Sequence, residues 1–497
     1  MSEEIQNTES KSSYRSIFKA TSLFGGVQVY QILIAIIKSK FVAVLLGPAG
    51  VGVQGLLTSA TDIVKQITSL GLSQSAVRDV SEANGTGDYH RVSLIVTVLR
   101  RVVWVTGIAG LVAVIVLSPL LSKWSFGNND YVIPFILLSV ILLMDQLSAG
   151  QKVILQGMRK LKDLAKASAI GATFGLLVSI PLYYWLGIKG IVPTLILHSA
   201  TSLLLSWYFS RKIKVEHVDV NAKTVLKESS LMVKMGIALS ISGVMVSACS
   251  YILRGYIRSI GGVEEVGLYQ AGFVIMSSYV GLIFNAMTTD YYPRLSAVSK
   301  DNVECAKTVN QQGEVAALIM APLLIICLVF MPLVIRIIYS DRFLPANDYI
   351  LWSVMGMMFK MMSWVIAYIF VAKAETKLFM INETITNIYT LILNILFYKW
   401  LGLTGLGMSF AVSYLIYTIQ VYVIARHRYG FRLTSDFAKL YSVLLSLVIL
   451  CLVIVKCFHG LTSYILGGVV ILLAGYLSVK GLQERMDILS ALKKFKK

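Results

Sequence analysis

Residues 183–190 read YYWLGIKG, and residues 398–405 read YKWLGLTG. The two stretches lie 215 residues apart, and each closes a long apolar run. Working outward at that offset, Gly52 falls on Gly267, Ser81 on Ser296, Leu176 on Leu391, Ile180 on Ile395 and Arg211 on Arg426. A tryptophan-centred run that shares one offset with matches far upstream marks an internal duplication.

What is duplicated belongs in a membrane. The chain has 497 residues, of which 56% are apolar and 14% charged, with a mean hydropathy of +0.74. Soluble chains average about 45–50% apolar and about 25% charged, so much of this one cannot face water. A helix that crosses a bilayer needs roughly 20 apolar residues. Fourteen such segments lie near 17–46, 49–72, 92–119, 131–156, 165–187, 190–210, 233–260, 264–290, 312–337, 347–372, 380–400, 404–425, 438–458 and 461–480.

The sequence therefore predicts an all-α polytopic membrane protein with two six-helix lobes and two extra C-terminal helices. The expected divisions are an N-terminal lobe at 1–210, a cytoplasmic linker at 211–232, a C-terminal lobe at 233–427 and the last two spans at 428–480. A basic amphipathic tail follows at 481–497, with Leu482, Met486, Leu489, Leu492 and Phe495 at helical spacing, and is expected to lie on the inner leaflet. Six is even, so both halves enter the membrane in the same sense. That is the parallel-repeat plan of transporters, for which a site between the halves near the midplane is expected.

The charge is unbalanced: 45 Lys+Arg against 26 Asp+Glu, or +19. A basic excess can mean nucleic acid, but here the basic residues separate long apolar runs, so no nucleic-acid partner is expected. Thirty of the 45 fall in the termini and even-numbered loops, and seven in the odd-numbered loops. Cytoplasmic loops carry the Lys/Arg excess, so both termini are expected in the cytoplasm. The first sixteen residues are polar, and no cleavable signal is expected. The five cysteines form no CxxC or Cys/His cluster and read as small apolar fillers. No metal or cofactor is expected.

Eight basic residues remain inside the spans: Lys38, Lys40, Lys65, Arg100, Arg101, Lys152, Arg254 and Lys360. The clearly intramembrane acids are Asp62 and Asp145. Each such charge costs roughly 2.5–3.5 kcal/mol on an insertion scale, so each is a functional-site hypothesis. Helical period groups them. Gln54, Thr58, Asp62, Lys65 and Ser69 form one stripe, in which Asp62 and Lys65 stand three apart and can pair. Asp145, Ser148, Lys152 and Gln156 form a second stripe, and Ser240, Gly243, Ser247, Tyr251, Arg254 and Arg258 a third. Lys360 interrupts the run MGMMFKMM (355–362). At the 215 offset Asp62 meets Ser277 and Lys65 meets Val280, so the halves are chemically unequal. The competing reading for each charge is a helix-end snorkeller or a buried structural pair.

Eight basic residues against two acids make a cationic cavity, which suits an anion. Lys38, Lys65, Lys152, Arg254 and Lys360 are the expected substrate contacts. Asp62 and Asp145 are the expected sites for a coupling H⁺ or Na⁺. Tyr30, Gln31, Gln54, Gln270 and Tyr279 can contact sugars. The expected substrate is an amphiphile with an anionic, hydroxyl-rich head; an exporter of cationic drugs calls for an acidic cavity. A membrane glycosyltransferase or polymerase needs a large external loop or a carboxylate-bearing soluble stretch. Neither is evident, and no DxD or HExxH motif is present, so no enzymatic activity is expected.

The stretch LLGPAGVGVQGL (45–56), its echo IGGVEEVGLYQAG (260–272), the segment YYPRLS (291–296) and the repeated WLGxxG turns carry a resemblance. The chain resembles the multidrug/oligosaccharidyl-lipid/polysaccharide superfamily, and within it the Wzx-type polysaccharide or O-antigen flippases. The resemblance covers spans 1–12. It implies a multi-pass protein of the bacterial inner membrane that moves an undecaprenyl-pyrophosphate-linked oligosaccharide from the cytoplasmic to the periplasmic leaflet by alternating access. The implied partners are that lipid-linked oligosaccharide, membrane lipids, and a polysaccharide polymerase and glycosyltransferases. Fourteen spans depart from the twelve of many members and match the lipid II flippase branch. A lipid II flippase and a multidrug exporter of the same superfamily thus stay open as alternatives. No family motif assigns site residues, so those named above rest on periodicity and depth.

The charge pattern makes a topology prediction. Alkaline phosphatase fused after Asn128 should be active, and fused after Lys162 it should be silent; the opposite result overturns the orientation.

Overall fold

Hydrocarbon leaves a backbone no partner but itself, so a crossing chain must be helical or a closed barrel. The computed structural model describes residues 2–85, 88–213, 215–216 and 218–485, and among these there is no strand. Most of the expected tail, residues 486–497, lies outside the described residues, as does the side chain of Tyr279. The helices are α1 (Ser2–Thr68), α2 (Leu72–Gly85), α3 (Tyr89–Phe126), α4 (Val132–Gly157), α5 (Leu161–Leu186), α6 (Ile191–Ser210) and α7 (Ala222–Val274). They continue as α8 (Leu282–Ala297), α9 (Asn302–Ile338), α10 (Asn347–Ala372), α11 (Thr376–Tyr429), α12 (Ser435–Cys457) and α13 (Leu461–Arg485). The chain forms two compact units, Met1–Val266 and Gly267–Lys497.

Among the described residues, ten helical stretches are long and apolar enough to cross a membrane. Four of them, Gly26–Thr68, Leu161–Ser210, Ser240–Asn285 and Thr376–Tyr429, each overlap two of the segments read from the sequence. In each, the helical path is broken at a glycine of positive φ: Gly47 (66°), Gly187 (55°), Gly262 (80°) and Gly402 (56°). With ψ between −134° and −179° these positions lie outside the left-handed helical region, in a conformation that costs an L-residue on the order of 1–3 kcal/mol. Pro48 follows Gly47 directly, where its fixed φ suits a helix start and its missing N–H costs nothing.

The backbone breaks recur at the offset seen in the sequence. Gly47 and Gly262 stand 215 residues apart with ψ of −173° and −179°. Gly187 and Gly402 stand 215 apart with ψ of −134° and −137°. So do Arg159 and Ala374, two non-glycine residues with φ of 54° and 57°. Beside them Lys160 N donates to Leu155 O at 2.8 Å, and Glu375 N to Phe370 O at 2.9 Å. A Cβ on Gly190 would stand 2.5 Å from Leu182 O, and one on Gly405 2.0 Å from Phe397 O. None of these peptide geometries depends on the identity of a large side chain.

In the first unit α4 packs on α3 and α6, α5 on α1 and α6, and α2 on α3 and α4. Small residues let these helices approach, as is usual where lipid supplies no hydrophobic drive. A Cβ on Gly71 would stand 2.1 Å from Gly236 O, so α7 crosses the end of α1 backbone against backbone. Arg91 pairs with Glu228 at 2.8 Å and ties the starts of α3 and α7. In the second unit α9 packs on α10, α12 and α13, and α10 on α11. There Met357, Met358 and Met361 are fully buried. The methionine run around Lys360 is thus largely packing, with flexible thioethers filling the helix interface.

The four breaks give a stability prediction. Gly187→Ala and Gly402→Ala meet open space, so each should cost only the backbone strain, on the order of 1–3 kcal/mol, and lower Tm in detergent. Gly468→Ala, within α13 and also facing open space, should leave Tm equal or raise it. Equal Tm in all three variants would show that the positive-φ glycines are not required.

Candidate functional site

The first unit encloses a polar cavity of about 490 Å³, lined chiefly by α1, α4 and α6. Asp62 and Lys65 face it from α1, Asp145, Ser148 and Lys152 from α4, and His198 and Ser202 from α6. Helical period explains the set. Residues three or four apart share a face, and each helix turns its stripe inward.

Lys65 Nζ lies 2.6 Å from Asp145 Oδ2, and the two side chains are 39% and 25% exposed. The sequence offered Asp62 as the partner of Lys65; the recorded ion pair runs to Asp145 instead. Asp145 reaches Lys65 from the facing helix α4. Asp62 remains within electrostatic reach of Lys65, Asp145 and Arg254. Lys152 Nζ donates to Ser202 Oγ at 3.0 Å. Ser202 in turn lies 3.0 Å from Ser148 Oγ, and Ser206 donates to Ser148 Oγ at 3.1 Å. Three serines thus form a relay of hydroxyls behind the Lys152 ammonium.

His198 is a member that sequence reasoning missed. It lies within electrostatic reach of Lys38, Asp145 and Lys152. A Cβ on Gly175 of α5 would stand 2.5 Å from His198 Nδ1, so that glycine leaves room for the imidazole. The available signal was spacing: His198, Ser202 and Ser206 recur every four residues on α6. Arg254 on α7 is 7% exposed and donates to Ser250 O at 3.2 Å and to Ser250 Oγ.

Lys65, Lys152 and Arg254 therefore gather around Asp62 and Asp145, and Lys38 lies near His198, all in one unit: four cations and two acids, or +2 with histidine counted neutral. The cavity wall proper carries Lys65 and Lys152 against Asp62 and Asp145, and is neutral. The wider count of eight cations does not carry over to this cavity. Arg101 Nη1 donates to Val220 O, in the segment after α6. Arg100 lines a separate groove with Arg211.

Lys360 lies in the second unit. Its Nζ stands 5.3 Å from the ring centroid of Tyr414 and 5.9 Å from those of Phe284 and Phe410. Three aromatic faces around one ammonium form a cation–π box. The segment Ile275–Val280, between α7 and α8, is a π-helical turn, a rare form that is frequent at functional sites. At the 215 offset it corresponds to residues 60–65, which hold Asp62 and Lys65 in the first half.

A family described as polysaccharide biosynthesis protein matches residues 41–348. The chain belongs to this family. A second family, described as lipid II flippase MurJ, matches residues 265–478. Among curated relatives, the "Lipid III flippase" of Escherichia coli (strain K12) is 21% identical over 417 residues, covering 81% of this chain and 96% of the relative. A Shigella flexneri protein described as "Putative O-antigen transporter" is 26% identical over 317 residues, covering 63% of this chain and 74% of the relative. Among solved structures, the lipid II flippase MurJ in an inward closed conformation aligns with a TM-score of 0.65 and 14% identity. That alignment covers 95% of this chain and 100% of MurJ. An inward-facing multidrug resistance MATE family transporter of the MOP superfamily aligns with a TM-score of 0.66 and 14% identity, covering 81% and 94%. The family member described here is thus a multi-pass membrane flippase or transporter of that superfamily, and the resemblance to Wzx-type flippases drawn from the sequence is borne out.

The ion pair makes a prediction. Lys65→Ala, Asp145→Ala and the double variant should be non-additive in stability, with a coupling of about 0.5–3 kcal/mol. Additive losses of Tm would show that the pair does not form.

Proposed function

We propose that this protein is a flippase for an undecaprenyl-pyrophosphate-linked oligosaccharide, an O-antigen or other surface polysaccharide repeat unit, working from the cytoplasmic to the periplasmic leaflet by alternating access. The observation that carries the reading is the placement of Lys65 and Lys152 in the wall of one cavity, with Arg254 near Asp62 and Lys38 near His198. Intramembrane cations are costly unless they have a partner, and a pyrophosphate offers several oxygens to them. Family membership and the relatives named for lipid III and O-antigen support the saccharide-lipid class.

In this reading Lys65 and Lys152 meet the pyrophosphate, with Arg254 and Lys38 at the margin. The anion competes with Asp145 for Lys65, so binding loosens the 2.6 Å pair. The serine relay behind Lys152 and the His198 ring offer hydroxyl and imidazole groups to the first sugars. The aromatic box of Lys360 offers further stacking faces. The polyprenyl chain stays in lipid. Asp62, which has no recorded ion pair among the described residues, is the stronger choice for taking up H⁺ or Na⁺; Asp145 is the other. Fourteen spans, both termini cytoplasmic, and two halves related at offset 215 complete the proposal. The four glycine breaks and the recurring dihedrals support that arrangement. We place the protein in the bacterial inner membrane, working beside a polymerase and glycosyltransferases that supply and consume its substrate.

A lipid II flippase is the second reading. It is favoured by the MurJ match at 265–478 and by the alignment over 95% of the chain. The two readings share the pyrophosphate and differ in the sugars.

The test is a reconstituted flipping assay with lipid-linked oligosaccharide. Lys65→Ala, Lys152→Ala and Arg254→Ala should each slow flipping by about tenfold or more, the effect of losing one charge-assisted contact of about 1.5–3 kcal/mol. Wild-type rates in all three would end the cavity's proposed role. Lipid II flipped faster than lipid-linked oligosaccharide would select the second reading.

A further inference from the structure

A second basic site lies away from the cavity just described, on the side of the first unit that presents apolar side chains outward. It is a groove of about 510 Å³ where α3, α4 and α6 meet. Its walls include Leu147 and Leu204, and its rim carries Trp104, Trp207, Arg100 and Arg211. Leu204 is 63% exposed, Trp104 51% and Trp207 42%. Large apolar groups this open face lipid rather than water in a membrane protein, and tryptophans collect at the level of the headgroups.

The two arginines set the depth and the chemistry. Arg211 directly follows the last residue of α6, at the end that the basic-loop pattern assigns to the cytoplasm. Arg100 is within electrostatic reach of it, so it sits near the same interface and not at the midplane. The Arg211 guanidinium lies over the Trp207 ring at 4.4 Å, which orients its donors while leaving the edge free. Among the described residues no carboxylate is within ion-pair distance of either guanidinium. The adjacent Arg101, by contrast, is satisfied by the carbonyl of Val220. Two like charges held together at a lipid-facing groove lack an anion. At the 215 offset Arg100 falls on Val315, so the second half does not repeat the pair.

We propose that this groove binds an anionic phospholipid, with the headgroup phosphate between Arg100 and Arg211 and an acyl chain along Leu147 and Leu204. Guanidinium is the side chain best matched to phosphate oxygens. Basic pockets between transmembrane helices on the cytoplasmic side are a recurring form of headgroup recognition. The site is separate from the cavity of Lys65 and Lys152, and it does not depend on what the protein transports.

The test is native mass spectrometry of the full-length protein in detergent, titrated with phosphatidylglycerol or phosphatidylcholine of equal chain length. The wild type should retain one phosphatidylglycerol with about tenfold or greater preference over phosphatidylcholine. Each of Arg100→Gln and Arg211→Gln should weaken retention by about fivefold, the effect of about 1 kcal/mol per basic group near a charged surface. The double variant should abolish the preference. Arg159→Gln, which removes a basic residue of a neighbouring loop, should leave the preference intact and so controls for net charge. Tm is measured alongside; if the double variant does not fold, the single variants decide. Equal phosphatidylglycerol retention in wild type and both arginine variants overturns the proposal. So does equal retention of the two lipids by the wild type. Displacement of the lipid by inorganic phosphate at equal concentration would assign the arginines to a free anion and overturn the lipid.

Discussion

Hydrocarbon offers no hydrogen bond to a peptide group, and every feature of this protein is arranged around that constraint. A helix satisfies its backbone internally, so apolar segments cross as helices. The difficulty moves to the places where a helix must break. Here the breaks are made by glycines of positive φ, at Gly47, Gly187, Gly262 and Gly402. A glycine adopts that conformation without the steric cost of a Cβ. The WLGxxG turns of the two halves have matching φ and ψ because peptide sterics, rather than side-chain packing, decide them.

The same constraint explains why charges inside the spans are few and grouped. An ammonium at depth must find a carboxylate, a set of hydroxyls, aromatic faces or water. Lys65 finds Asp145, Lys152 finds Ser202, and Lys360 finds three rings. These solutions differ in what they leave available. An ion pair can be opened by a competing anion. A lysine bonded only to a hydroxyl keeps donors free for a ligand. A cation–π box holds the charge while presenting flat surfaces. Arg101 ends on a backbone carbonyl and Arg100 reaches the outer groove. Adjacent residues on a helix point about 100° apart, so both cannot serve one cavity.

The transport reading and the lipid-site reading draw on the same chemistry at two depths. In the cavity, cations and acids are mixed, so a phosphate must displace an existing partner, and binding is reversible by construction. At the outer groove two arginines stand without an acid among the described residues, which favours a resident anion.

Local physics wrote much of this into the sequence. Apolar length, the glycine turns and the stripes of polar residues were legible because each depends on residues near one another in the chain, and the offset of 215 because such local patterns recur. Lys38, Lys65, Lys152, Asp62 and Asp145 were found that way. Which of them meet was not legible. The partner of Lys65 stands 80 residues away on a facing helix, and His198 enters the cluster only because Gly175 on another helix makes room. Lys360 was legible as a charge at depth, but its aromatic box joins residues of three helices. The sequence by itself determined that the chain is a helical membrane protein with matching stretches 215 residues apart and a few costly charges. Tertiary structure alone decided which charges face a cavity, which pair and which turn outward, because helix rotation and packing choose the partner of a side chain once its period has chosen its face.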